Sequence, residues 1–378
     1  MTANHFKFTG QGPVTQPDDG NWQRLLPRPL APLDDPADYH LADQGLIEAV
    51  NTALLLGMPL LLTGEPGVGK TQLAHRIAYE LGCQTIEFAV KSTSSAQDLF
   101  YSIDHLRRLH AAQAKKDMGK SRGGYSRTLH ALQAKKDTDI DVRRFLHFDG
   151  LGLAILRAMP SSTLLALRLG KHAWPDRPEP LPRQPSVVLI DEIDKAPSDF
   201  CNDMLEEVRR LQFKVPELGD QVFSIYADSK RPDKDEAKFR PQIVITSNSE
   251  KGLPEPFLRR CVYYHMQPPN PDQLQSIVNK RLDNSTHPQA VTLSPEARHH
   301  SIAFFQFLKD AERVSLEKPP STAELLNWLL ILDHHGAGAA AKSQETKLWK
   351  TLAKSSLLKH KDDAARFDDL IAQWRSAT

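Results

Sequence analysis

Lys70 and Thr71 close the octapeptide Gly64-Glu65-Pro66-Gly67-Val68-Gly69-Lys70-Thr71, which has the spacing G-x-x-x-x-G-K-[ST]. That spacing suits phosphate binding. Glycines let the backbone curl so that its N–H groups face an anion, the lysine reaches the β- and γ-phosphates, and the hydroxyl of Thr71 ligates Mg²⁺. The expected nucleotide-binding set is Gly64, Glu65, Pro66, Gly67, Val68, Gly69, Lys70, Thr71 and Gln72. A second acidic centre lies far along the chain, where Asp191 and Glu192 follow the apolar run Val187-Val188-Leu189-Ile190. Carboxylates at the end of a buried parallel strand face the crevice in which α/β sheets bind ligands. Asp191 is therefore expected to hold the metal, and Glu192 to orient and deprotonate a water.

Two further segments carry polar groups suited to the same chemistry. Asn248 ends the run Gln242-Ile243-Val244-Ile245-Thr246-Ser247-Asn248. Its amide could hold a water near a γ-phosphate, although an Asn at a strand end is also an ordinary turn residue. Arg259 and Arg260 close Leu253-Pro254-Glu255-Pro256-Phe257-Leu258-Arg259-Arg260-Cys261. Phosphoryl transfer spreads negative charge that a positioned arginine can stabilise; in isolation, the same pair also reads as surface cations bonded to Asp or Glu.

The elements that must position these groups are legible from pattern. Leu60-Leu61-Leu62 enters the glycine loop as a buried strand would, and Leu73, Ala74, Ile77, Ala78 and Leu81 repeat on one face of a helix stopped by Gly82. A helix is predicted ahead of the loop from about Leu41 to Leu56, with Leu46, Ile47, Val50 and Leu54 inward. Thr85 to Val90 alternates as a strand, while Val187–Ile190 and Gln242–Thr246 are continuous apolar runs and Val262-Tyr263-Tyr264 is a shorter one. Strands alternating with helices predict a parallel α/β sheet. From Asn270 the texture becomes helical: Asn270-Pro271-Asp272-Gln273 and Ser294-Pro295 start helices, and Ser321-Thr322-Ala323-Glu324 spells a capping box.

The organisation expected from these features is an extended N-terminal arm over 1–36, an α/β core over 37–268, a helical lid over 269–338 and a C-terminal helical extension over 339–378. The core carries insertions near 101–150 and 227–240. The first holds a duplication: Leu109-His110-Ala111-Ala112-Gln113-Ala114-Lys115-Lys116-Asp117 recurs twenty residues later as Leu129-His130-Ala131-Leu132-Gln133-Ala134-Lys135-Lys136-Asp137. The join between the copies is glycine-rich, Gly119 to Gly124. Two copies are too few for a solenoid, and the Lys-Lys pairs read either as a solvated helix face or as phosphate contacts.

Composition excludes several classes. The 378 residues carry 48 Lys plus Arg and 47 Asp plus Glu, a net charge of +1, which leaves no overall footprint for nucleic acid or an anionic membrane. A local basic patch stays open. Met1 to Gly10 lacks the apolar core of a signal peptide, and the mostly apolar stretch Ala53–Leu62 is too short to span a bilayer. Cys83, Cys201 and Cys261 are scattered without metal-ligand spacing, which points to a reducing, cytoplasmic setting.

Taken together, the motifs from about Asp34 to Leu332 resemble the AAA+ ATPases, and among them the MoxR-like branch. Gly64–Thr71 matches Walker A, Val187–Asp194 matches Walker B, Ile245–Asn248 matches sensor 1, and Leu253–Cys261 matches the arginine-finger segment. The run from Asp191-Glu192-Ile193-Asp194-Lys195-Ala196 to Asp203-Met204-Leu205-Glu206 is typical of that branch. The resemblance implies a five-stranded parallel P-loop nucleotidase core with a smaller helical lid. It also implies ATP and Mg²⁺ as cofactors, Asn248 as the sensor 1 residue, Arg260 as the finger and Arg259 as its companion. Members form rings, usually hexamers, with fingers donated by the neighbouring subunit. They remodel or activate protein partners, often ones with von Willebrand factor A domains. The chain departs from the common pattern at Pro320–Glu324, where many members carry a sensor 2 arginine. Both insertions fall where the family places its helix-2 and pre-sensor 1 insertions. The alternative implied by the same fold is a DNA- or RNA-associated motor, for example in restriction or defence, and a third is a non-hydrolysing nucleotide-gated scaffold, against which Glu192 and Arg260 argue.

Overall fold

A computed structural model of the chain describes residues 30, 33–41, 43–120, 141–169, 173–174, 183–197, 199–226, 236–249, 253–283, 293–336 and 346–377. Most of the expected N-terminal arm, the second copy of the duplicated nonapeptide, most of its glycine-rich join and most of the 227–240 excursion lie outside the described residues. The chain forms two compact units. One is Tyr39–Gln273, and the other is Leu274–Thr378 with Met1–Asp38.

In the first unit, helix α1 (Gln44–Leu56) leads into strand β1 (Leu60–Thr63), and α2 (Lys70–Leu81) leads into β2 (Gln84–Ala89). Next come β3 (Tyr101–Ile103), α3 (His105–Lys120), β4 (Leu146–Phe148), α4 (Gly150–Ala158) and α5 (Ser161–Ala166). They are followed by β5 (Ser186–Asp191), α6 (Phe200–Asp203), α7 (Leu205–Arg210), β6 (Gln212–Val215) and β7 (Gln221–Ser224). The unit closes with β8 (Gln242–Thr246), α8 (Glu255–Leu258) and β9 (Val262–His265). Five strands pair in parallel in the order β2-β5-β8-β1-β9. Parallel strands covered by helices on both faces need apolar side chains on both faces. That is why β1 and β8 are buried at every residue and β5 at all but Asp191.

The helices follow their sequence signals with two local differences. Asp43 caps α1 by accepting from Gly45 N at 2.9 Å and Leu46 N at 3.3 Å. Yet α1 buries Leu46 and Ala53, two turns apart on one stripe, while Leu54 to Leu56 are exposed. Leu54 sits about 100° around the helix from Ala53, so it misses the stripe. In α2, Leu73, Ala74, Ile77 and Ala78 are buried, but Leu81, at the helix's last residue, is 48% exposed.

Two antiparallel pairs lie off the main sheet. β3 pairs with β4, placing Tyr101 opposite Phe148 and Ile103 opposite Leu146, and β6 pairs with β7. Their aromatic rings pack together: Phe213 lies 5.0 Å from Phe223, 5.1 Å from Phe100 and 6.0 Å from Phe148, centroid to centroid. β3 and β4 thus close the base of the chain between them, which includes α3 and the first nonapeptide copy.

The second unit is helical: α9 (Pro271–Leu282), α10 (Pro295–Lys309), α11 (Thr322–His334), α12 (Lys347–Leu357), α13 (Lys361–Ala365) and α14 (Phe367–Ala377). Leu274, Phe304, Trp328, Trp349, Leu370 and Trp374 share one hydrophobic core. Ser321 and Glu324 form a reciprocal capping box, with Ser321 N donating to Glu324 Oε2 at 2.7 Å and Glu324 N to Ser321 Oγ at 3.4 Å. Buried Asp363 accepts from Glu317 N and Lys318 N, each at 3.1 Å. Among the described residues, no helix is long and apolar enough to cross a membrane.

Candidate active site

Strands β1, β5 and β8 are neighbours that run the same way, so the residues after Thr63, Asp191 and Thr246 emerge at one edge of the sheet. The register places Ile190 beside Ile245 and Leu62 beside Thr246. The glycine loop leaves β1 at that edge with Gly64, Gly67 and Gly69 at φ of 139°, 80° and 98°. A Cβ on Gly64 would lie 2.4 Å from Met266 O, so this turn accepts only glycine. Glu65, Pro66 and Gly67 are exposed at the apex, and Val68 packs against the core beneath.

Lys70 is buried, and all three of its N–H groups are used: it donates to Gly64 O at 2.7 Å, Glu65 O at 3.0 Å and Asn248 Oδ1 at 2.8 Å. Burial pulls its ammonium below the usual lysine value, while Asp191, Asp194, Glu192 and Glu65 pull it back. Thr71 Oγ1 donates to Asp191 Oδ1 at 3.2 Å. Asp191 also accepts from Thr246 Oγ1, which in turn accepts from Glu192 N at 3.0 Å. Glu192 adopts left-handed backbone, with φ 59° and ψ 51°. Its carboxylate pairs with Lys195 and holds that ammonium above the usual lysine value, and Asn248 Nδ2 reaches its other oxygen at 3.5 Å. Asp194 Oδ1 accepts from Asn248 N at 3.1 Å and Ser247 Oγ at 3.3 Å, tying the turn after β5 to the end of β8.

The residues present fit a nucleotide with its metal. A hydroxyl and a carboxylate converge as hard oxygen donors, which suits Mg²⁺. The glycine curl leads straight into the first turn of α2, where backbone N–H groups are unpaired within the helix. Gln72, in that turn, has its Oε1 buried without a hydrogen-bond partner among the described residues. Lys70 and Asn248 satisfy each other here, so an incoming phosphate would compete for the same ammonium.

Lys70, Thr71, Asp191, Glu192 and Asn248 are thus brought together. Arg259 and Arg260 are not. Arg259 is 76% exposed and pairs with Glu255 one turn back, and Arg260 Nη1 donates to Pro256 O at 3.4 Å. With Glu255 and Pro256 they line an open depression of about 350 Å³. Thr246 and Asp194 had no role in the sequence reading. No sequence signal points to Thr246, because its bond to Asp191 depends on β8 lying beside β5. Asp194, which accepts from Asn248 N and Ser247 Oγ, has none either, because it lies in the turn beyond the paired residues of β5.

Residues 59–261 match the AAA domain family, dynein-related subfamily. The chain belongs to that family. It is an AAA+ ATPase with the P-loop fold, a five-stranded parallel sheet flanked by helices and a helical C-terminal region. No curated protein matches the chain. Among solved structures it is similar to the Thermotoga maritima RuvB Holliday junction branch migration motor, at 13% identity and a TM-score of 0.41, covering 82% of this chain and 67% of that one. A mutant of the same protein gives 12% identity and a TM-score of 0.43, covering 83% and 70%.

Proposed function

We propose that this AAA+ ATPase is a Mg²⁺-dependent, ring-forming enzyme of MoxR-like type that couples ATP hydrolysis to remodelling or activating a protein partner. The observation that carries the reading is the separation of the two halves of the chemistry. Lys70, Thr71, Asp191, Glu192 and Asn248 form one hydrogen-bonded cluster linked through Thr246, whereas Arg259 and Arg260 stand exposed and, among the described residues, bond to Glu255 and Pro256 of their own helix. A finger with no partner in its own site suits donation to the site of a neighbouring copy.

In this reading Lys70 and the loop N–H groups bind the phosphates. Thr71 and Asp191 hold the Mg²⁺, which when bound would neutralise phosphate charge. Glu192 takes a proton from water, Asn248 orients that water, and Arg260 of the next subunit stabilises the charge that develops. A hexamer is the expected ring, and a protein containing a von Willebrand factor A domain is the expected partner class.

Complementation between copies tests this reading. Arg260→Ala should bind nucleotide normally and lose at least about a hundredfold in turnover, at the low side of arginine-finger effects. Mixed with Lys70→Ala protein, it should regain activity, because an intact loop then meets an intact finger. Mixed oligomers that recover no activity would count against a trans finger. Turnover stimulated by DNA, with a steep salt dependence, would favour a nucleic-acid motor instead.

A further inference from the structure

Gly69 ends the glycine loop and caps the N-terminus of α2 in left-handed backbone, with φ 98° and ψ 20°. That conformation favours glycine, so the residue has no side chain with which to cap or brace its own helix. Its carbonyl accepts from Leu73 N at 3.0 Å and so opens the hydrogen-bond ladder of α2. The loop therefore joins its helix at the residue type with the most backbone freedom.

Tyr39 occupies the space that a side chain on residue 69 would take. A Cβ built on Gly69 would lie 3.3 Å from Tyr39 Cε2, 3.4 Å from its hydroxyl oxygen and 3.8 Å from Cζ. The Tyr39 hydroxyl donates to Gly69 O at 3.4 Å. That bond is long and hence weak, so the packed ring is the main restraint. The ring is itself held firmly. Tyr39 is 8% exposed and shares a hydrophobic core with Leu46, Leu62, Leu73 and Met266. Just beyond it, Asp43 caps α1 and accepts from the Tyr264 hydroxyl of β9, which pins the start of α1 to the edge of the sheet.

We infer that Tyr39 is a positioning residue for the phosphate loop. It braces Gly69 from outside, so that the N–H groups of the loop and of the first turn of α2 stay aimed at the phosphates. The inference rests on the reading of Gly64–Thr71 as the nucleotide-binding loop. Lys70 and Tyr39 divide the work: the ammonium is bonded to Gly64 O and Glu65 O at the start of the loop, and the tyrosine holds Gly69 at its end. Misplacing positioned groups by an ångström can cost about a hundredfold, so a partial loosening of the loop is expected to cost about tenfold.

The test uses the full chain with Mg²⁺, measuring ATP affinity, steady-state turnover of ATP and of GTP, and thermal unfolding without nucleotide. Tyr39→Phe keeps the ring and should hold ATP affinity within about twofold of wild type. Tyr39→Leu keeps an apolar side chain but removes the ring. It should weaken ATP binding and raise KM by about tenfold, with kcat within about twofold. Turnover is spared because Glu192 and Asn248 are tied to Thr246 and Asp194, not to the loop's end. Because the loss runs through phosphate contacts, kcat/KM for ATP and for GTP should fall by the same factor. A Tyr39→Leu protein that melts at a lower temperature yet binds ATP like wild type would reduce Tyr39 to a packing residue and overturn the inference. A loss confined to ATP would set the ring against the base and overturn it as well. Wild-type ATP affinity in Lys70→Ala would instead remove the reading of the loop on which the inference rests.

Discussion

The glycine loop and the arginine segment both carry cations suited to phosphate chemistry, but the fold treats them oppositely. Lys70 is 6% exposed and fully hydrogen-bonded, and it sits between two loop carbonyls and the amide of a neighbouring strand. Arg259 is 76% exposed and shares an ion pair with Glu255 on the same short helix. A buried ammonium must be paired and fixed in place, because unpaired charge in the interior is costly. An exposed guanidinium carries no such demand and gains position only when another surface covers it. The first cation is organised by its own chain, and the second lacks whatever would organise it.

The largest expected effects fall on the organised side. Lys70→Ala removes a buried, hydrogen-bonded charge and should weaken nucleotide binding by about 2–5 kcal/mol, read by titration with a fluorescent nucleotide. Glu192→Gln should leave that binding intact and lower turnover by about 10²–10⁴, because an amide cannot take a proton from water. Should Glu192→Gln turn over like wild type, the acid-base role would have to pass to another group. A contrast between lost binding at Lys70 and lost turnover at Glu192 would sharpen the division of labour within the cluster itself.

A smaller effect is expected where the loop meets β9. Gly64 has φ 139° and lies against Met266 O, so Gly64→Ala forces both a disfavoured backbone and a steric clash. The unfolding free energy should fall by about 1–3 kcal/mol, the usual cost of a residue held in such a region. Gly82→Ala is the comparison, since it has φ 63° with open space around its Cβ position. It carries backbone strain alone and should cost less. Equal losses at the two positions in denaturant titrations would show that contact with Met266 adds nothing.

Much of this arrangement is legible in the sequence. The glycine spacing, the unbroken apolar runs of β5 and β8, and the capping residues Asn270, Ser294 and Ser321 each encode a local preference, and the folded elements start and stop close to them. What was hidden depends on which elements become neighbours. Thr246 bonds to Asp191 only because β8 lies beside β5, and the strand order β2-β5-β8-β1-β9 is not written in any one segment. The helical periodicity of residues 347–377 likewise gave no hint that Trp349 and Trp374 stack in the core that Phe304 and Trp328 occupy. The stripe of α1 was misjudged because Leu54 outweighs Ala53 in hydrophobicity, whereas a small side chain is what lets a helix sit close to a sheet.

The smallest effect is expected from the largest change. The segment between β3 and β4 holds α3, in which Leu106 is 72% exposed and Leu109 is 53% exposed. Its base is closed by the pairing of Tyr101 with Phe148 and Ile103 with Leu146, and by Asp104 N donating to Phe145 O at 2.9 Å. Among the described residues, no bond joins Lys70, Thr71, Asp191, Glu192 or Asn248 to α3. The duplicated nonapeptides, with their Lys-Lys-Asp clusters, therefore suit contact with a partner better than chemistry. Replacing Arg108 to Asp137 with a short Gly-Ser linker joins two chain ends that the strand pairing already holds side by side. Basal ATPase should stay within about threefold, because loop closure costs change slowly with length. Stimulation by a protein partner should be lost. A linker variant that dissociates the oligomer and loses basal turnover would place the segment at the subunit interface, and the separation between a self-contained loop and a surface that waits for others would then have to be redrawn around α3.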